Sequence, residues 1–237
     1  MSFDSRVLGL APLLEPRQDP NDVQRLRHLA VAVRDDQELA DSLAQPSGAE
    51  SPSDLGLRIW VAGQLRCTAA VPALLRLLED ASQASDVRAE SATALEHIGD
   101  PAVFHRLVSV GSNVTNPQLV RMRAILSAAR LGDDPDDAAF ATLLADKSDA
   151  GPVRAIAAEA LSYTAGPVAR SALRNELAGL DPEVRFWSIH SLGEIGQPED
   201  IAFIEPFLAD RAEVAGYNTI ADEASSAIDA IRHRSRG

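Results

Sequence analysis

The sequence has few of the residues that mark disulfide-bonded, secreted or membrane-spanning proteins. Aromatic residues make up only 4% of the 237 positions, and Cys67 is the single cysteine. One cysteine cannot form an internal disulfide, which fits a reducing compartment. No apolar stretch approaches the roughly 20 residues of a membrane-spanning helix, and the N-terminus, with Asp4, lacks the apolar run of a secretory signal. We therefore expect a cytoplasmic protein that does not bind membranes.

Positive charge is also scarce. The chain has 22 lysines and arginines against 35 aspartates and glutamates, giving a net charge of −13. Binding to nucleic acid depends on basic side chains that neutralise phosphates, so we expect no nucleic-acid partner. The field of an acidic protein steers basic partners toward it. The alternative is that the acidity only keeps the protein in solution.

Motifs for catalysis or metal binding are missing. The five histidines form no His-Glu-x-x-His pattern, and no P-loop, Gly-x-Ser-x-Gly or Gly-x-Gly-x-x-Gly stretch occurs. The acidic turn 133–137 lacks the spacing of a calcium loop and fits the N-terminus of a helix. Cys67, next to Arg66, could be reactive because a cation lowers a thiol pKa, but an ordinary half-buried cysteine is the simpler interpretation. We expect no catalytic residue, no metal and no cofactor.

What is present is helical periodicity. Hydrophobic residues reach 46%, with no sustained alternating run typical of strands. The segment 181–196 shows the signals of one helix: Asp181 as N-cap, proline at the first position, and Gly196 as a left-handed stop. Its apolar stripe consists of Val184, Ile189, Leu192 and Ile195.

This helix recurs along the chain. An arginine that follows an aliphatic residue returns every 30 to 33 residues, at Arg58, Arg88, Arg121, Arg154 and Arg185. Small or apolar residues follow each arginine at +4, +7 and +10, and a degenerate sixth copy starts at Ala221. A second set of helices between them is predicted to start at Val71, Pro101, Pro135, Pro167 and Pro198. Residues 53–237 thus form a predicted repeat array, and residues 1–52 a helical cap for its first apolar face.

The segment Val71-Pro-Ala-Leu-Leu-Arg-Leu-Leu-Glu-Asp80, combined with Asp-Pro-Glu-Val-Arg and a closing Gly-x-Ile-Gly, resembles HEAT repeats. It is most similar to the short bacterial kind named after phycobilisome lyases. The resemblance covers residues 53–233 and implies an all-α fold, a right-handed α-solenoid of about six helix–turn–helix repeats. It also implies that the second helix of each repeat lines the concave side. Thr68 and Thr164 depart from the aliphatic +10 position.

On that second helix, positions +2, +5 and +9 lie away from the apolar stripe and are predicted to face the concave surface. Both tryptophans and one of the two tyrosines fall there, and Trp, Tyr and Arg often anchor interfaces. The alternative is that the tryptophans fill gaps between helices. The predicted partner-binding residues are Trp60, Glu90, His97, Arg123, Arg130, Glu159, Tyr163, Trp187, His190 and Glu194. The repeated arginines are predicted to be structural, paired with acids such as Asp86 and Glu183.

The sequence therefore favours a non-enzymatic scaffold that grips a basic or mixed-charge protein, as an inhibitor, adaptor or immunity-type protein would. The resemblance leaves open a bilin lyase or chromophore chaperone, with Cys67, His97, Tyr163 and His190 lining a pocket. A DNA glycosylase of the HEAT type is a third possibility, which the charge of −13 disfavours.

Overall fold

The computed structural model describes residues 2–13, 21–44, 52–131, 137–164 and 166–236. These residues form 14 α-helices and a single isolated bridge between Glu213 and Thr219, with no β-strand among them. Consecutive helices pack against one another, so the all-α repeat character is confirmed, whereas the handedness and the number of repeats remain predictions. The contacts between residues divide the chain into two compact units, 1–127 and 128–237. The predicted boundary between cap and array at residue 52 stays a prediction.

The first unit is built from helices that alternate in length. They are α1 (Phe3–Leu8), α2 (Asp22–Ala32), α3 (Asp36–Ala44), α4 (Pro52–Gln64), α5 (Val71–Glu79), α6 (Ser85–Ile98), α7 (Phe104–Ser112) and most of α8 (Gln118–Arg130). The longer helices α4 and α6 pack side by side, and α5 packs on α6 and α3. Leucines and isoleucines such as Ile59, Leu74 and Leu95 fill the core between them. Residues 45–51, which precede α4, lie outside the described residues.

The second unit repeats this arrangement. It contains the last turn of α8, then α9 (Asp137–Ala145), α10 (Gly151–Leu161), α11 (Pro167–Glu176), α12 (Pro182–Ile195), α13 (Ile201–Ile204) and α14 (Ile220–Arg234). Helix α12 packs between α10 and α14, while α11 packs on α9 and α12. The acidic turn at 133–136 and the predicted helix start at Pro135 lie outside the described residues. None of the helices described in either unit has the length and apolarity that a membrane crossing requires.

The predicted apolar stripe forms the contact between the helices. Ile189 and Leu192 of α12 are buried, and the matching positions of α6, Ala92 and Leu95, are buried as well. Thr68, the first departure from the pattern, is exposed. The helix predicted to start at Pro198 is divided into two 3₁₀ turns and the short α13, because Pro206 cannot donate the backbone hydrogen bond that a continuous helix needs.

The ends of α12 agree only partly with the prediction. The carboxylate of Asp181 accepts hydrogen bonds from the backbone N–H groups of Glu183 and Val184, so the N-cap is confirmed. Gly196 is not left-handed: its φ is −68° and its ψ is 159°. Glycine is needed there for space, since a Cβ would lie 2.2 Å from the Leu192 carbonyl oxygen and 3.0 Å from the Ile231 side chain. Gly99, at the end of α6, does adopt the left-handed conformation, with φ of 77°.

The repeated arginines hold the ends of the preceding helices. In three repeats the Nε of the arginine donates to a carbonyl ten residues earlier: Arg88 to Leu78 at 2.8 Å, Arg121 to Gly111 at 2.8 Å and Arg154 to Leu144 at 2.9 Å. These carbonyls belong to the last turn of a helix, where no intrahelical donor remains. The structural role is therefore supported. The acids that pair with these arginines are not the predicted Asp86 and Glu183: Arg154 pairs with Glu176 at 2.5 Å and Arg185 pairs with Asp210 at 2.9 Å.

Candidate protein-binding surface

The ten predicted partner-binding residues are all at least partly accessible. His97, Arg123, Arg130, Tyr163 and Glu194 are exposed, whereas Trp60, Glu90, Glu159, Trp187 and His190 are half-buried. The +2, +5 and +9 positions of the repeats are not all accessible, however. Gly63 and Leu126 occupy +5 positions and are buried. At Gly63 the helices touch, because a Cβ there would lie 2.9 Å from the Cα of Ala94.

Cys67 occupies the +9 position after Arg58, which is predicted to face the concave surface, but it does not lie on that surface. Helix α4 ends at Gln64, and Arg66 takes a positive φ of 53°, so the chain turns away before the +9 position is reached. Cys67 is fully buried, and its thiol donates to the backbone oxygen of Asp36 at 3.3 Å. Burial raises the pKa of the thiol, which keeps it protonated. Cys67 is therefore a buried cysteine that does not react in the folded protein. It cannot line the pocket that a chromophore would need.

In the first unit, the accessible residues lie along α4, α6 and α8. The Nδ1 of His97 is 3.2 Å from the side-chain amide nitrogen of Gln64, which links α6 to α4. Trp60 and Glu90 lie half-buried at the +2 position of their helices, and Arg123 extends into solvent from the +2 position of α8. The two helices α4 and α6 thus present one aromatic and two polar side chains along their shared edge.

In the second unit, the predicted residues contact one another directly. The Nε of Arg130 donates to the hydroxyl of Tyr163 at 3.1 Å, and its NH2 lies 3.4 Å from a carboxylate oxygen of Glu159. The guanidinium carbon lies 5.4 Å from the centroid of the Tyr163 ring. This geometry combines an ion pair with a cation–π contact. Three predicted residues from α8 and the α10 segment therefore form one cluster.

A second cluster is centred on Trp187 of α12. The Trp187 ring packs edge-on against His190, with 5.2 Å between ring centroids. The Nδ1 of His190 lies 2.8 Å from a carboxylate oxygen of Glu223 in α14. This hydrogen bond, followed by the negative charges of Glu223, Glu194 and Glu159, raises the pKa of His190 against the opposing effect of its burial. His190 is thus set among three carboxylates, two of them predicted site residues.

Sequence reasoning missed Tyr217, which completes this cluster. Its ring centroid is 5.3 Å from that of Trp187, and the buried Phe186 packs beneath both rings at 5.7 Å from Trp187 and 5.4 Å from Tyr217. Helical periodicity cannot place Tyr217, because it belongs to the insert that precedes α14. A tyrosine next to Gly216 in a long insert was the available signal.

The insert is held in place by its own hydrogen bonds. The carboxylate of Asp210 accepts from the backbone N–H of Ala212 at 3.0 Å and from Arg185 at 2.9 Å. Thr219 and Asp222 form a reciprocal capping box at the start of α14. Gly216, with φ of 82°, allows the turn that presents Tyr217. The tyrosine is therefore positioned by an ordered loop.

We name as the aromatic surface the side chains of Tyr163, Trp187, His190 and Tyr217 with the carboxylates around them, Glu159, Glu194 and Glu223. The second unit carries most of the negative charge, with 19 acidic against 10 basic residues over 128–237. Among the described residues, no group of three or more histidines, cysteines and acids could hold a metal ion. The surface combines large aromatic rings with negative charge, which suits a positively charged partner.

The comparisons with known proteins bear on the fold. The family model described as HEAT repeats matches residues 152–216, which lie within the second unit and include Trp187 and His190. Among solved structures, the chain is similar to human deoxyhypusine hydroxylase in complex with glycerol at 19% identity, over 97% of both chains, with a TM-score of 0.38. That score is too low to support any argument. No curated protein matches the chain. The family match supports the interpretation of the chain as a HEAT-repeat protein, and the short bacterial subtype remains a prediction.

Proposed function

We propose that the chain is a non-enzymatic scaffold whose aromatic surface binds a basic protein. The observation that carries the proposal is the pair formed by the half-buried Trp187 and Tyr217, which is 54% exposed, together with Tyr163, which is 42% exposed on the preceding repeat. In a chain with so few aromatic residues, three of them gather on this surface. Large aromatic side chains that are partly exposed are the usual anchors of protein interfaces.

The charge of the surface supports a basic partner. Glu159, Glu194 and Glu223 all act on His190, which packs against Trp187, and the second unit has an excess of nine negative charges. A partner with clustered lysines and arginines would be steered to this face and would find carboxylates at its centre. An inhibitor, an adaptor and an immunity-type protein would each use such a surface to mask basic residues of another protein. HEAT repeats often serve as helical scaffolds in protein interactions, which agrees with this class of function.

The same charges disfavour nucleic acid as the partner. A phosphate backbone requires a continuous groove of lysines and arginines. Arg130, which lies beside the aromatic surface, is already paired with Glu159 and Tyr163. Charge repulsion from the remaining carboxylates would oppose any polyanion at this face.

The proposal is tested by affinity capture from the native cell, followed by calorimetry with the purified partner. The site variant is Trp187→Ala with Tyr217→Ala, and the control is Leu180→Ser with Leu208→Ser, two exposed apolar residues of the same unit. We expect a partner with a basic isoelectric point that the wild type and the control retain and the site variant loses. Retention by the site variant, at unchanged helical circular dichroism, would refute the proposal.

A further inference from the structure

The second unit places its own arginines over aromatic rings. The guanidinium carbon of Arg130 lies 5.4 Å from the Tyr163 centroid, that of Arg174 lies 4.9 Å from Phe203, and that of Arg185 lies 5.5 Å from Phe207. The first of these also pairs with a carboxylate, Glu159. An arginine over a ring with an acid at its edge is therefore a contact that this surface already makes.

Trp187 and Tyr217 form an aromatic pair of a different kind. The two rings contact one another, and both contact Phe186. Trp187 also contacts His190. Within the part of the chain that the structure describes, no arginine or lysine lies over either ring. Tyr217 is more than half exposed, so a side chain from another molecule can reach the pair.

Two carboxylates, one on α12 and one on α14, act on His190, whose ring packs against Trp187. Glu194 follows Trp187 by seven residues, two turns along the same face of α12, and is exposed. Glu223 of α14 lies 2.8 Å from the Nδ1 of His190, the histidine that packs edge-on against Trp187. A guanidinium stacked on the rings could pair with these acids, as Arg130 does with Glu159. The negative charge of the unit opposes binding of an anionic ligand at the same position.

We propose that Trp187 and Tyr217, together with Glu194 and Glu223, form a docking site for an arginine side chain on a basic segment of the partner protein. The proposal rests on the proposed protein-binding function and names the group that is recognised. Arginine fits better than lysine, because its planar guanidinium stacks on aromatic faces and pairs with carboxylates through two parallel hydrogen bonds.

The test uses the full chain with the substitution Trp60→Phe, which leaves Trp187 as its only tryptophan. A blocked peptide of alternating glycine and arginine is titrated while the Trp187 emission is recorded. The comparison peptide has citrulline in place of arginine, which keeps the shape and removes the charge. We expect a saturable change for the arginine peptide below about 1 mM, weakened by salt, and none for the citrulline peptide.

Variants locate the site. We expect Tyr217→Ala and Glu194→Gln each to weaken binding of the arginine peptide about three- to tenfold. Glu205→Gln removes the same charge from an exposed side chain outside the aromatic surface and should change the affinity by less than about twofold. Circular dichroism controls for folding of each variant.

Two results would overturn the inference: equal binding of the citrulline peptide, or no saturable response to the arginine peptide. If the arginine peptide fails but the captured partner still depends on Trp187 and Tyr217, the arginine site is wrong and the protein-binding function stands. If neither the peptide nor any protein partner depends on these two residues, both proposals fail.

Discussion

Arg154→Met removes one of the repeated arginines and should destabilise the second unit. Arg154 is 7% exposed; its Nε donates to the Leu144 carbonyl at 2.9 Å, and its NH2 lies 2.5 Å from a carboxylate oxygen of the buried Glu176. Lys147 also pairs with Glu176, from a side chain that is 59% exposed. Methionine keeps most of the length of arginine and loses every donor.

The magnitude follows from what the substitution leaves behind. A buried carbonyl that loses its donor costs about 1–3 kcal/mol. Removing one partner of a buried ion pair costs about 3–5 kcal/mol. The second cost is reduced here because Lys147 remains beside Glu176, and the two terms share the same side chain. We therefore expect a loss of about 3 kcal/mol, a large part of the roughly 5–15 kcal/mol that keeps a domain folded.

Urea unfolding measures this loss. In the Trp60→Phe background, the emission of Trp187 reports on the second unit, and far-ultraviolet circular dichroism reports on all helices. Coincidence of the two transitions would justify a two-state free energy. Where they separate, the Trp187 transition is the one to compare between variants.

Two further variants decide whether the reasoning is right. Arg232→Met removes an arginine that is 51% exposed and 4.0 Å from Glu205, and it should cost less than about 1 kcal/mol. Arg154→Met combined with Glu176→Met should be less destabilising than Arg154→Met alone, because no uncompensated carboxylate remains buried. A loss in Arg154→Met no greater than in Arg232→Met would refute the structural role of the repeated arginine.

Three other predictions concern a glycine pair, a histidine and the cysteine. On α4, Gly56→Ala should stabilise the protein by about 0.5–1 kcal/mol, since a Cβ there meets nothing within 4 Å. Gly63→Ala should destabilise it by about 1–3 kcal/mol, because its Cβ would lie 2.9 Å from the Ala94 backbone. Urea midpoints that move in the same direction for both variants would contradict this. The raised pKa of His190 means that its protonated pairing with Glu223 stabilises the fold below the ordinary value of 6.5 and that this contribution fades as the pH rises through the raised value. The NMR titration midpoint of His190 should therefore exceed 6.5 and fall in Glu223→Gln, and an unchanged midpoint in that variant would count against the pairing. The raised thiol pKa and complete burial of Cys67 predict that it reacts with Ellman's reagent only after unfolding, so rapid reaction of the native protein would disprove the buried assignment.

The repeat architecture could be predicted from the sequence because its signals are local and recur. The arginine and the apolar stripe lie within one helix, and the Asp181 cap acts on residues two and three positions later. Errors arose at helix ends, where the backbone conformation is not fixed by the residue type. Gly196 is extended rather than left-handed, and a Cβ there would clash with the Leu192 carbonyl oxygen. Cys67 leaves the surface because α4 ends three residues before it.

The residues of the aromatic surface also divide into those that sequence periodicity could predict and one that it could not. Periodicity along α10 and α12 placed Glu159, Trp187, His190 and Glu194 where the structure has them, on accessible positions of neighbouring helices. Tyr217 could not be found in this way, because a loop residue has no helical register. The partners of the repeated arginines were missed for a related reason: a carbonyl ten residues earlier has no side-chain identity that a sequence pattern could reveal.

The most direct test of the proposed function is the affinity of the captured partner for the wild type and for the variant with Trp187→Ala and Tyr217→Ala, measured by calorimetry. Anchoring by these rings predicts a loss of affinity of at least about thirtyfold at unchanged helical content, with Leu180→Ser and Leu208→Ser close to wild type. Equal affinity of the wild type and the site variant would show that the partner binds elsewhere and would contradict the central claim.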